Sequence, residues 1–235
     1  MQGNSEMGKR LSDRRHFLQT ALAGATIGIA TQRMTELSNF RGMSAQSNVS
    51  PDGAFQELVS GNERFAANKL TSIEHDLAML KEKNVDKQEP FAAVLSCADS
   101  RVPVELIFDQ TIGHVFVTRV AGNIATPEII ASLEYGVAVL GVKVLVVLGH
   151  SNCGAVKAAM KADPVPGQIS ALYAPLQEAV RQSGGNFATA IEANTKVQAE
   201  LLRTSSPVLR DAVKAGKLKI ASGVYDLATG KVMMS

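Results

Sequence analysis

Val142-Lys143-Val144-Leu145-Val146-Val147-Leu148 runs through Gly149 into His150-Ser151-Asn152-Cys153-Gly154, and the reading of this stretch decides the fold. A run of apolar residues with almost no polar alternation suits a strand buried on both faces, the habit of parallel sheets. The chemistry changes abruptly after Gly149, and a helix is expected over Cys153–Lys161. Outward from it, Phe91–Ser96 and His114–Val120 are two more short apolar runs of the same kind. Pro127–Leu140, with Ile129, Ile130, Leu133, Val137 and Leu140 at helical spacing, predicts the crossover helix before Val142. Pro127 sits near its first turn and Gly141 just past its end, where each belongs. Further helices are expected over Gln168–Gln182 and Asn186–Arg203, then a last strand over Lys219–Tyr225, turned by Ala228-Thr229-Gly230. Ahead of the first strand, Ala54–Asn68 carries Phe55, Leu58, Val59 and Phe65 at helical spacing, and Asp76–Asn84 reads as a second helix. Strands alternating with helices predict an α/β fold, a mainly parallel central sheet flanked by helices.

Composition narrows the function classes. The 235 residues are 46% hydrophobic and 20% charged, with 24 Lys and Arg against 22 Asp and Glu. That is globular rather than disordered chemistry. No basic stripe marks a nucleic-acid binder and Trp is absent. No apolar run reaches the roughly 18 residues of a stable membrane span. Two cysteines cannot build a disulfide scaffold, so any role for them is specific.

The N-terminus reads as an address. Arg14-Arg15-His16-Phe17-Leu18 precedes a weakly apolar stretch from Thr20 to Thr31, the order of a bacterial Tat-type export signal. Residues 1–45 are therefore expected to be signal and linker, with Met43-Ser44-Ala45 as an imperfect cleavage site. Residues 46–53 read as linker and turn, and 54–235 as the folded domain. Residues 1–45 hold six basic and three acidic residues, leaving 18 against 19 in the remainder. The slight basicity of the chain thus belongs to the address, and the periplasm, or a thylakoid lumen, is the expected destination.

In open α/β sheets, sites form beyond the carboxyl ends of the strands. There the first strand runs into Cys97-Ala98-Asp99-Ser100-Arg101, and the strand quoted above runs into His150-Ser151-Asn152-Cys153. Both cysteines and one histidine meet on one edge. Two thiolates and an imidazole are three good zinc ligands, and a catalytic zinc keeps three protein ligands and one exchangeable position. Cys153 at a helix N-terminus has its thiolate favoured by the dipole. A Cys97–Cys153 disulfide, or two small buried hydrophobes, are the competing readings. Asp99 is placed either to ligate the metal or to accept a hydrogen bond beside it, with Arg101 gripping it.

These residues carry a resemblance. Cys97-Ala98-Asp99-Ser100-Arg101-Val102-Pro103, Arg119-Val120-Ala121-Gly122-Asn123 and Leu148-Gly149-His150-Ser151-Asn152-Cys153-Gly154-Ala155-Val156 resemble the signatures of the β-class carbonic anhydrases, and Gly223-Val224-Tyr225-Asp226-Leu227 resembles that family's final strand. The resemblance covers residues 54–235. It implies one Zn2+ per subunit on Cys97, His150 and Cys153, and reversible hydration of carbon dioxide to bicarbonate and a proton by attack of zinc-bound hydroxide. It implies that Asp99, paired with Arg101, points away from zinc and is catalytic, and that unpaired it closes the fourth zinc position in a resting state. Two thiolates cancel the charge of the ion, so activity is expected to rise on the alkaline side of neutrality. The resemblance also implies a homodimer or higher homo-oligomer, with Phe55, Leu58 and Phe65 as residues that wrap either a partner or their own core. A regulatory bicarbonate site built on Trp is not expected in a chain without Trp. Two other functions use the same residues: a zinc hydrolase of CS2 or COS, and a non-catalytic zinc or bicarbonate-binding module. His75 and His114 read as surface residues able at most to relay protons, and Lys143 as a snorkelling strand residue.

Overall fold

The three continuous apolar runs are three neighbouring parallel strands of the sheet: β1 (Ala92–Ser96), β2 (Val115–Arg119), which forms one edge, and β3 (Val144–His150). A fourth, β4 (Lys219–Tyr225), lies parallel to β3, and β5 (Val232–Met234) pairs antiparallel with β4 at the edge. The computed structural model describes residues 49–71 and 85–235. The segment read as an export signal and the helix expected over Asp76–Asn84 lie outside the described residues.

Strand order is β2-β1-β3-β4-β5. All residues of β1 and β3 are buried, and side chains that alternate across the pleat split them between two cores. Val94, Val144, Val146 and Leu148 join Leu58, Ile107 and Phe108 on one face. Ala93, Leu95, Leu145 and Val147 join Leu133, Leu202 and Leu209 on the other. This two-sided burial is why the strands carry no polar alternation.

Helices fill both faces. They are α1 (Pro51–Ala66), a single turn α2 (Val104–Ile107), α3 (Pro127–Ala138), α4 (Gly154–Lys161), α5 (Gln177–Gln182), α6 (Phe187–Ser205) and α7 (Pro207–Lys214). Capping chemistry sets several of their starts. The side chains of Ser50, Asn186 and Ser206 accept from the N–H groups of Gly53, Thr189 and Leu209, and Pro occupies the first turn of α1, α3 and α7.

Several sequence expectations change. Pro51-Asp52-Gly53, read as linker, is the first turn of α1, because Ser50 caps it. The helix expected over Gln168–Gln182 is two short 3-10 turns, Ile169–Leu172 and Ala174–Leu176, followed by α5, since Pro175 cannot continue the ladder of a longer helix. Helix α7 and strand β5 were not anticipated. Leu58 is wholly buried in this chain's own core, while Phe55 and Phe65 are half-buried against the same core. Lys219 Nζ stands 4.4 Å from the Phe55 ring, and the Phe65 ring lies 6.3 Å from that of Tyr225.

The topology decides where a site can form. The chain leaves β1 towards β2 on one side, then returns past β1 to β3 on the other. The register pairs Ser96 with Leu148, so the loops after β1 and β3 diverge from neighbouring points and leave a crevice between them. Open α/β sheets bind ligands at such a switch point.

Candidate metal centre

Cys97 is the first residue beyond β1, His150 the last of β3, and Cys153 the N-cap of α4. One ligand atom from each lies within 4.8 Å of the other two. All three side chains are buried, His150 completely. Asn152, in the left-handed region at φ 56°, turns the chain between His150 and Cys153, whose ligand atoms lie within 4.8 Å of each other. The cysteines pack with Ile124, Val156, Leu176 and Ile191 in a third apolar cluster at this edge of the sheet. Water is thereby excluded from one flank of the site.

The imidazole is oriented for a cation. His150 Nδ1 lies 2.9 Å from the Ser151 carbonyl oxygen, which fixes the proton on Nδ1. Nε2 is buried and has no hydrogen-bond partner, a costly state for a polar atom unless something else uses its lone pair. The sulfurs tell the same story. Both cysteines are free thiols rather than a disulfide. Cys97 is held well below the ordinary thiol range by the adjacent Cys153 thiol, against the penalty of burial, with help from His150 and the Gly122 and Asp99 N–H groups. Cys153 is pushed up by the neighbouring Cys97 thiolate and by burial. His150 is also drawn upward: burial opposes its charged form, but the Cys97 thiolate beside it prevails. Two sulfurs and an unpartnered imidazole nitrogen converging in a buried crevice are the donor set of zinc.

Asp99 stands at the mouth of this cluster, its Oδ2 3.8 Å from His150 Nε2. Arg101 holds it back with three bonds, Nε to Oδ1 at 2.9 Å, Nη2 to Oδ2 at 2.8 Å and the backbone N–H to Oδ1 at 2.9 Å. The Arg101 pairing keeps the Asp99 carboxyl far below its usual range despite some burial. The carboxylate is therefore an acceptor only. Asp99 is not among the three groups that converge within ligand distance. It stands in the Arg-paired arrangement.

One residue quoted for the resemblance acquires a role the sequence did not assign. Arg119, at the end of β2, donates from Nε to the Cys97 carbonyl at 2.9 Å and from Nη2 to the Asp99 carbonyl at 2.5 Å. Its guanidinium braces the loop that carries both residues, a tie that required knowing β2 lies beside β1. His114 is half-buried at the amino end of β2, its ring edge-on to Phe91, on the opposite side of the sheet from the site. Lys143 precedes β3 at that same far end. Neither lines the centre. His75 lies outside the described residues.

Comparison with known proteins follows the same outline. The family model described as carbonic anhydrase matches residues 92–232. Carbonic anhydrase 2 of Mycobacterium tuberculosis is 33% identical over 199 residues, covering 80% of this chain and 94% of that one. The carbonic anhydrase of Pseudomonas aeruginosa is 37% identical over 195 residues, covering 75% and 86%. Among solved structures, a tetrameric β-carbonic anhydrase of the ascomycete Sordaria macrospora superposes with a TM-score of 0.62 at 25% identity, over 77% of this chain and 95% of that one. With the family match running from β1 through β4 and across both cysteine loops, this chain belongs to the carbonic anhydrase family, in its β class.

Proposed function

We propose that this enzyme hydrates carbon dioxide reversibly to bicarbonate and a proton, with Cys97, His150 and Cys153 holding one zinc ion and Asp99 and Arg101 working beside it. The observation that carries the reading is the convergence of two sulfurs and the unpartnered His150 Nε2 within 4.8 Å. Bound zinc would supply the Lewis acidity that turns water into a nucleophile.

The rest is done by the chain. The Ser151 carbonyl keeps a proton on His150 Nδ1, so the neutral ring presents its lone pair at Nε2. The apolar flank around Ile124, Val156 and Leu176 keeps water off the sulfurs and strengthens every charge interaction inside. Asp99, ionised and fixed by Arg101, accepts a hydrogen bond from a proton-bearing nucleophile and cannot donate one. It thereby orients that nucleophile's remaining lone pair towards a linear, uncharged substrate. Should Arg101 let go, the same carboxylate can turn into the cluster as a fourth ligand and close it.

Metal analysis with stopped-flow carbon dioxide hydration tests this. The native chain should carry one zinc, and His150→Ala or Cys153→Ser should lose both the metal and the catalysed rate. A folded native protein without zinc, or a His150→Ala variant of undiminished rate, would sink the reading.

We further propose export by the twin-arginine route to the periplasm, supported by Arg14-Arg15-His16-Phe17-Leu18 and the apolar stretch behind it. A reporter fused to residues 1–45 should leave the cytoplasm only in cells with a working twin-arginine translocase, and Arg14→Lys with Arg15→Lys should retain it. A homodimer or higher homo-oligomer is proposed from the tetrameric relatives, and light scattering on the purified chain reads its mass.

A further inference from the structure

The inward face of α6, apolar at Ile191, Ala199 and Leu202, is interrupted by buried polar side chains. Asn194 and Gln198 lie one turn apart on it and are each 1% exposed. Burying a primary amide unpaired costs about 1–3 kcal/mol, so their partners matter. Gln198 Oε1 accepts from the Ala125 backbone N–H at 2.9 Å. Its Nε2 donates to the Pro175 carbonyl and to Asn194 Oδ1, both at 3.1 Å. Asn194 Nδ2 then donates to the Gly122 carbonyl at 2.9 Å. The direction of this relay is forced. The Ala125 N–H can only donate, which sets the Gln198 amide, which sets that of Asn194. The relay starts and finishes on the same loop, at Ala125 and Gly122, so it clasps the Gly122–Ala125 turn between β2 and α3.

Gly122 is where that turn meets the metal centre. Its N–H donates to Cys97 Sγ at 3.3 Å. It sits in the left-handed region at φ 79°, and a Cβ there would meet Ala155 and Leu176 at 3.3 Å. The peptide is thus placed by the clasp on one side and by packing on the other.

We infer that Asn194 and Gln198 are positioning residues of the metal centre: through the Gly122 turn they hold an N–H···S hydrogen bond on the Cys97 ligand and so set its donor strength. The inference rests on Cys97 being a metal ligand. Groups that orient a metal's ligands typically change metal affinity by about 10–100-fold when removed.

The test uses the full-length protein loaded with cobalt, zinc or cadmium. Asn194→Asp and Gln198→Glu keep shape but delete donors from the relay. In each folded variant the sulfur-to-cobalt charge-transfer band should move to longer wavelength, with the tetrahedral visible bands retained. Zinc should leave to a chelator roughly ten-fold faster or more. A purely structural role would lower the unfolding temperature and leave both readouts untouched, and that result overturns the inference. In the unaltered protein, a magnetically active cadmium isotope should show scalar coupling to the Gly122 amide proton. Absence of that coupling, with Cys97 ligation visible in the cobalt spectrum, overturns it without any variant. If the unaltered cobalt form shows no thiolate band at all, the ligand assignment itself fails, and the inference fails with it.

Discussion

Arg101 spends an exposed guanidinium, 54% of its side chain in solvent, on a carboxylate only 17% exposed. An exposed ion pair contributes little to stability, so the pairing is better explained by where it puts Asp99. Arg101→Ala removes the two side-chain bonds and keeps only the backbone N–H bond to Oδ1. Zinc content should be unchanged, while turnover falls on the order of 10²-fold, the usual cost of misplacing a reacting group by about 1 Å. Arg101→Lys should recover little, since an ammonium cannot grip both oxygens in a planar fork. Stopped-flow hydration beside metal analysis reads both outcomes, and undiminished turnover in Arg101→Ala would reduce the pair to a turn cap. Asp99, Arg101 and the three donors were all legible as residues, because each combines an unusual side chain with a place after a recognisable strand. Arg119 was not. Its work is done through the backbone carbonyls of a neighbouring strand's loop, which no spacing in the chain announces.

Between elements, one tie outside the sheet joins α1 to Asp109, just past the end of α2. Arg64 Nε donates to Asp109 Oδ2 at 2.5 Å and the Thr71 N–H donates to Oδ1 at 2.8 Å. Burial opposes the charge on Asp109, but these donors overcome it and its carboxyl lies below its ordinary value. A carboxyl depressed in the folded state stabilises the fold above its unfolded value, about pH 4, and that contribution disappears as pH falls through the folded value. Asp109→Asn, which still suits the left-handed backbone at φ 47°, should be less stable than the native chain at pH 7. The gap should close progressively below about pH 4. Denaturant midpoints across that range check it, and a gap that persists in acid would place the effect elsewhere. Element by element, long periodic segments such as α3 and α6 could be read directly. Strand β5 could not, because three residues have no period, and their pairing with β4 depends on the turn at Ala228-Thr229-Gly230. Helix α7 left a signal in Ser206-Pro207, an N-cap followed by proline at the first position, that hydrophobic spacing alone passed over.

For the whole molecule, the buried donors make the metal part of the folding equilibrium. Two buried sulfurs and a buried imidazole nitrogen without a hydrogen-bond partner converge within 4.8 Å of one another. A ligand held at 100 times its Kd adds about 2.7 kcal/mol, and each kcal/mol moves the Tm of a chain this size by about 2–4 °C. Stripping the metal with a chelator under reducing conditions should therefore lower Tm by at least roughly 5 °C. Added zinc should restore it. Calorimetry of the stripped and reloaded forms decides the matter, and identical melting curves would separate the centre from the stability of the fold.

The linear chain settled its own chemistry: which segments are apolar enough to be buried on both faces, and which sulfur and imidazole groups stand just beyond them. These are local properties, carried by neighbours a few residues apart. What the local pattern left open was distance. Only the return of the chain past β1 sets the loops of Cys97 and His150 side by side, and only the packing of α6 brings Asn194 under Gly122. Contacts between residues 50 or 70 positions apart depend on strand order and register, which are outcomes of burying the whole surface together.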